Sequence, residues 1–243
     1  MHSDNLTGLR VAVTGGTSGL GLALVRQLTA RQARVTFAAR HGAAVARIAE
    51  ETGAHGIVGD VGRKDDIYPL ALQITGHLGG LDVLINNASS LGPVPLALLA
   101  DTACEELEQA LAVNLVGPFR LTKALFGALT ASARTGRGAL VVNISSDAAV
   151  NAYAGWGAYG ASKAALRQLT GIWEEEAKSE GVRFLSIDPG DMDTPLHALA
   201  APDADRSALK RPEASAAEII AAIRASLPAC ADAGRRARAG AQA

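Results

Sequence analysis

Three residues stand at spacings that could bring reactive groups together. Tyr159 and Lys163 are four apart at the start of a helical pattern, so they share one helix face, one turn apart. Ser146 lies thirteen residues before Tyr159. It follows Ala139 to Ile144, a short apolar, β-branched run that reads as a buried strand. Open α/β sheets place their ligands at the C-terminal ends of such strands. A hydroxyl, a phenol and an ammonium can therefore converge on one small volume. A free phenol titrates near pH ~10, too high to trade protons readily at neutrality, and a neighbouring ammonium draws it toward the working range. The serine could then hold a carbonyl oxygen while the tyrosine gives it a proton, as hydride transfer to or from a carbonyl requires. A YxxxK alone is common by chance, and its plain reading is a helix-face tyrosine beside a solvated lysine. The serine behind a strand is what lifts the pair above that reading.

The elements that must hold these groups are also legible. A first strand, Leu9 to Val13, runs into Thr14-Gly-Gly-Thr-Ser-Gly-Leu-Gly21, and a helix follows from about Gly19 to Ala30. Glycines 15, 19 and 21 allow a tight turn and close backbone approach, and the helix N-terminus favours a pyrophosphate. The stretch Gly15, Thr17, Ser18, Gly19, Leu20 and Gly21 is thus the expected phosphate cradle. The second strand is Arg34 to Ala39. Where an acid would receive the ribose 2′-hydroxyl of a non-phosphorylated dinucleotide, about twenty residues past the glycines, the chain has Ala39 and then Arg40. An arginine binds a 2′-phosphate by charge-assisted hydrogen bonds. NADP(H) is therefore the expected cofactor, with Arg40 its main determinant and Ser18 or His41 assisting.

With its GxxxGxG spacing, its serine and its YxxxK, the chain from about Leu9 to Leu227 resembles the short-chain dehydrogenase/reductase family. The resemblance implies a single-domain α/β, Rossmann-type, doubly wound parallel sheet with helices on both faces. Six strands are expected, or seven if a degraded last one is present. It implies that Ser146 orients a carbonyl oxygen, that Tyr159 supplies the proton, and that Lys163 lowers the tyrosine pKa and binds the nicotinamide ribose. Asn114, inside VNLVGP, would position a water linking the lysine to solvent. Asp60, with Val61 after it, would close the adenine pocket. The family motif NNAG appears as Asn86-Asn87-Ala88-Ser89. Asn86 would brace the strands, and Asn87 and Ala88 would lie against the adenosine ribose. Ser89 departs from the motif and adds a side chain to the pocket floor. Pro189, Gly190 and Thr194 match the PGxxxT motif, in which the backbone near Met192 and the Thr194 hydroxyl would hold the nicotinamide carboxamide. The loop AYAGWGAYGASK is similar to the sepiapterin reductase and benzil reductase branch. Tyr153, Trp156 and the 91–99 loop, opening with Leu91, would form an apolar, partly aromatic pocket suited to aryl ketones or diketones. Alternatively, Trp156 packs under its loop.

Residues 104–125 read as one long helix or two, with a break near Gly117-Pro118. The segment from about 191 to 212 is Pro- and Ala-rich and reads as a flexible lid. Ser215 to Leu227 is a last amphipathic helix, and 229–243 reads as a disordered tail. The domain is therefore expected to span 1–228.

The remaining composition is exclusionary. Net charge is −1 over 243 residues, and basic residues cluster only at Arg235 to Arg238, so no nucleic-acid partner is expected. Two cysteines, Cys104 and Cys230, form no disulfide framework. The five histidines lack ligand spacing, so no metal is expected. The N-terminus carries no apolar h-region and no run approaches a membrane span. A cytoplasmic homodimer joined through its long helices, acting on a small carbonyl or alcohol, is the resulting expectation. The rival is a dinucleotide-sensing regulator on the same fold. Such proteins typically lose the tyrosine or the lysine, and this chain keeps both.

Overall fold

Strand alternation sorts the core into two layers. In β1 (Arg10–Thr14), Val11 and Val13 join one hydrophobic cluster and Ala12 joins another. In β4 (Val83–Asn86), Val83 and Ile85 part from Leu84 in the same way. In β5 (Ala139–Ile144), Leu140, Val142 and Ile144 part from Ala139 and Val141. Period-two side chains need cover on both faces, and the sequence provides helices for both. The computed structural model describes residues 6–228.

On the first face, α1 (Gly19–Ala30) contributes Leu24, Val25 and Leu28, α2 (Gly42–Thr52) Val45 and Ile48, and α8 (Pro212–Ser226) Ile219, Ile220 and Ile223. On the second face, α3 (Lys64–Leu78) contributes Leu70 and Ile74, and α5 (Gly117–Arg134) Leu121, Leu125 and Leu129. The spacing of three or four along each helix keeps these side chains on one stripe.

Six strands, with β2 (Arg34–Ala39), β3 (His55–Val58) and β6 (Val182–Ile187) completing the set, form one parallel sheet in the order β3-β2-β1-β4-β5-β6. No seventh strand occurs among the described residues. The expected disordered tail, with Cys230 and Arg235 to Arg238, lies outside them, as do residues 1–5.

Strand order reverses between β1 and β4. Their C-terminal ends therefore splay the connections apart and open a crevice there, which is where such sheets bind ligands. The opposite edge is locked by Asp82, fully buried, whose carboxylate takes Arg10 at 2.6 Å and Arg137 at 2.8 Å and also accepts from the Ser132 hydroxyl. The guanidinium groups and the hydroxyl hold that carboxyl far below the usual carboxylate range against the cost of its burial.

The structure resolves the expected break after residue 104. Helix α4 (Cys104–Leu111) passes through one wide, π-type turn, Ala112–Val116, into α5, which runs on to Arg134 and so beyond the expected end near Leu125. Asn114 sits in the wide turn. Such turns are uncommon and concentrate at functional sites. The expected lid is more ordered than its composition suggested. It contains helix α7 (Pro195–Ala200), and its ends are clipped together by Asp193 N–H to the Lys210 carbonyl at 2.9 Å and Lys210 N–H to the Asp191 carbonyl at 3.0 Å.

Candidate active site

The crevice begins with the glycines. Gly15 holds φ +71°, in the left-handed region, and a Cβ there would stand 2.9 Å from the Ala88 Cα. A Cβ on Gly21 would run into the Gly15 carbonyl oxygen. Ser18 precedes α1 without capping it through its side chain, so the helix's first N–H groups remain available to an anion. The other wall is tied to this turn. Thr14 Oγ1 accepts from the Asn87 and Ala88 N–H groups at 3.0 and 3.1 Å, and Asn87 Nδ2 donates to the Thr14 carbonyl at 2.9 Å. Backbone comes close to backbone across the switch point, and only glycine at 15 and 21 permits it.

A cleft of about 1100 Å³ runs from this cradle across the C-terminal edge of the sheet. Every site residue nominated from the sequence lines it except Asn114, which is fully buried behind its wall. At one end stand Ser18, Arg40 and His41. Asp60 is held at the wall by accepting from the Gly62 N–H at 2.8 Å, while its own N–H donates to Asp66. Pro189, Gly190, Met192 and Thr194 line the floor. The Thr194 oxygen caps α7 by accepting from the His197 N–H at 3.2 Å, which leaves its own hydrogen free to donate.

The reactive groups lie at the ends of β5 and α6 (Gly157–Glu176). Ser146 Oγ caps the short turn after β5 by accepting from the Ala148 N–H and donates to the Asp147 carboxylate at 3.1 Å. Tyr159 is 8 % exposed and Lys163 2 %. Lys163 Nζ donates to the Ile144 carbonyl at 2.8 Å and stands over the Tyr159 ring, 5.5 Å from its centroid. Burial lowers the lysine to about 8.

The expectation that this amine lowers the tyrosine is corrected here. The Tyr159 phenol is pushed up, chiefly by burial, with the Asp188 and Asp147 carboxylates adding to the rise. What draws it back are the hydroxyls of Ser146 and Ser89. The amine itself is committed to the Ile144 carbonyl and stands over the ring.

Asn114 satisfies both ends of its amide with protein groups. Nδ2 donates to the Ser90 carbonyl at 2.7 Å and to Ser162 Oγ at 2.8 Å. Oδ1 accepts from the Ser90 N–H at 2.8 Å and from Ser89 Oγ at 3.2 Å. Ser162 in turn donates to the Tyr159 carbonyl at 2.6 Å. Asn114 thus joins the loop after β4 to the first turn of α6. Two donors and two acceptor positions are used, so any water it positions must be held through its main chain.

The far end of the cleft is apolar. Leu91, Ala148 and Tyr159 form a small buried cluster against which Leu96, Trp156, Leu196 and Ala200 pack. Trp156 meets Tyr159 edge-on at 5.7 Å, so it both lines the cleft and packs. Tyr153 is half-exposed and donates to Asp147 at 2.7 Å. The cations of the lid turn elsewhere: Arg206 pairs with Asp193 at 2.6 Å and Lys210 with Glu218 at 2.5 Å.

Sequence reasoning passed over Ile144, Ser90, Asp147 and Ser162. Asp147 and Ser162 could have been noticed as polar neighbours of Ser146 and Lys163. Ile144 and Ser90 act through backbone groups, which no residue type announces.

Comparison with known proteins follows the same lines. Residues 10–205 match the family model described as short chain dehydrogenase. Over 188 residues the chain is 33% identical to an uncharacterized short-chain type dehydrogenase/reductase of Sinorhizobium fredii. That match covers 76% of this chain but spans only 33% of the relative's length. It is 31% identical to carbonyl reductase family member 4 of Xenopus tropicalis, over 76% of each chain. A short chain dehydrogenase from Burkholderia cenocepacia, solved in complex with NADP, superposes with a TM-score of 0.77 at 26% identity, over 92% of each chain.

Proposed function

The chain belongs to the short chain dehydrogenase family, and from that premise we propose that it is an NADP(H)-dependent oxidoreductase of carbonyl reductase type. It reduces a ketone or aldehyde, or oxidises the corresponding alcohol. The observation that carries the reading is the meeting of Ser146, Tyr159 and Lys163 in the same cleft as the glycine turn.

The cradle fits a dinucleotide on its own geometry, since Gly15, Gly19 and Gly21 line the cleft where the Ser18 side chain leaves the first N–H groups of α1 uncapped. Bound NADPH would supply the hydride. Gly15 to Gly21 would hold the phosphates, and Asp60, Val61, Asn87 and Ala88 would hold the adenosine half. Pro189, Gly190, Met192 and Thr194 would hold the carboxamide. Arg40 favours the phosphorylated cofactor, because its guanidinium can pair with a 2′-phosphate. The NADP complex of the Burkholderia relative supports the same choice.

Ser146 must turn its hydrogen from Asp147 to the substrate oxygen. Tyr159 then donates to that oxygen, and its raised pKa keeps it protonated at neutral pH. That state suits the reductive direction. Lys163 orients the ribose and the tyrosine. Asn114 sets the first turn of α6 through Ser162. The apolar end, with Leu91, Tyr153 and Trp156, suits an aryl ketone or diketone, and the paired lid cations argue against an acidic substrate. Exposed Phe119 and Ile172 on α5 and α6 support a homodimer through those helices.

The test mixes protein, NADPH and a panel of aryl ketones and follows nicotinamide absorbance. Consumption that stops with Tyr159→Phe supports the reading. NADPH binding with no consumption on any ketone or aldehyde would favour the regulatory alternative.

A further inference from the structure

Ser146 shares its hydrogen with a carboxylate that takes no part in proton or hydride transfer. Asp147 is exposed and lines the cleft. Its Oδ1 accepts from the Ser146 hydroxyl at 3.1 Å, and its Oδ2 accepts from the Tyr153 hydroxyl at 2.7 Å. We propose that Asp147 determines substrate specificity: its carboxylate accepts a hydrogen bond from a hydroxyl or ammonium on the carbon next to the reacting carbonyl. The proposal rests on the reductase reading and narrows its substrate.

The carboxylate is held in place by its surroundings. Asp147 opens the short turn Asp147–Ala149, and its carbonyl accepts from the Val150 and Asn151 N–H groups, each at 2.9 Å. Tyr153 fixes Oδ2. Asp147 in turn pushes the Tyr153 phenol up, which keeps that hydrogen on the bond. The Ser146 oxygen is anchored by the Ala148 N–H at 3.2 Å, so only its hydrogen is free to turn.

When that hydrogen turns to the substrate, Oδ1 loses its Ser146 donor while Oδ2 keeps Tyr153. The substrate oxygen and Oδ1 then both lie beside one atom, Ser146 Oγ. Beyond the carbonyl carbon itself, the part of the substrate nearest that oxygen is the adjacent carbon. A hydroxyl or ammonium there replaces the lost donor. A methyl leaves Oδ1 to water, and a second carbonyl sets acceptor against acceptor. The choice between aryl ketone and diketone thus narrows to an aryl ketone with a neighbouring donor, its ring on Leu91 and Trp156. Asp188 and Asp191 line the same cleft, so an ammonium gains from their charge and a carboxylate is repelled. No proton or electron passes through Asp147.

The experiment compares three benzylic alcohols that differ in one terminal group, with NADP+ and the full chain. They are α-ethylbenzyl alcohol with a methyl, styrene glycol with a hydroxyl and phenylethanolamine with an ammonium. At least one of the two donor alcohols should exceed α-ethylbenzyl alcohol in kcat/KM by about tenfold, as a hydrogen bond to a charged group allows. Asp147→Ala should abolish that ratio. A ratio measured on one preparation does not depend on how much of it is folded, so a merely structural role would not move it. A preference confined to one donor alcohol supports the proposal and identifies the donor. Turnover without a preference, or a preference that survives Asp147→Ala, overturns the proposal and leaves the reductase reading standing. If no alcohol is oxidised and no ketone is reduced, calorimetry on the NADP+-loaded protein decides. Binding that favours a donor alcohol through Asp147 then keeps the contact and removes the reductase reading, and binding without that preference overturns both.

Discussion

The ammonium of Lys163 lies 2.8 Å from the carbonyl oxygen of Ile144, the last residue of β5. One hydrogen bond thus ties the catalytic turn of α6 to the strand that carries Ser146. It also fixes an almost fully buried amine against backbone, which is costly for a charge and lowers its pKa from 10.5 to about 8.

That burial has a pH signature. Below pH 8 the amine is charged in both folded and unfolded chains, and the folded state bears the whole desolvation cost. Between about 8 and 10.5 the unfolded chain keeps the proton that the folded chain has released, so stability rises with pH. Relative to Lys163→Met, the wild type should gain up to about 3 kcal/mol across that window. Urea denaturation at a series of pH values reads it, and a flat difference between the two proteins would contradict the buried amine.

Tyr159→Phe keeps the ring that packs on Trp156 and removes only the hydroxyl. Turnover should fall by about 10²–10⁴-fold, the usual worth of a positioned general acid. NADPH affinity should change little. Stopped-flow turnover and a fluorescence titration separate the two, and full activity in the variant would take Tyr159 out of the chemistry.

Arg40→Ala removes the cation at the β2 end of the cleft. NADPH should bind about tenfold more weakly or worse, given about 1.5–3 kcal/mol for a hydrogen bond to a charged group. NADH should bind about as before. Isothermal titration with both cofactors decides, and equal losses would mean that Arg40 does not read the 2′-phosphate.

Asp82→Ala should cost about 3 kcal/mol or more, because it strips a buried carboxylate from Arg10, Arg137 and Ser132. Activity per folded molecule should hold, since Asp82 lies at the edge of the sheet opposite the cleft. The depressed carboxyl also sets an acid limb: its stabilisation is complete above the ordinary carboxylate range and is lost as pH falls below it. Asp82→Asn should flatten that limb in thermal melts.

Local spacing alone carried much of this protein. The glycines at 15, 19 and 21, the four-residue step from Tyr159 to Lys163, and the alternation in β1 and β5 all follow from the geometry of a turn, a helix and a strand. The six strands and their cleft were therefore legible. Other features depend on groups that are remote in sequence. Lys163 finds the Ile144 carbonyl nineteen residues away, and Asn114 finds Ser90 and Ser162 at separations of 24 and 48. The composition of the lid suggested a loose segment, yet backbone pairing of Asp191 and Asp193 with Lys210 anchors it. Above all, spacing put an ammonium beside a phenol but could not say which atoms they would present to each other. Burial and orientation decided that, because the energy of a charge depends on what surrounds it in three dimensions.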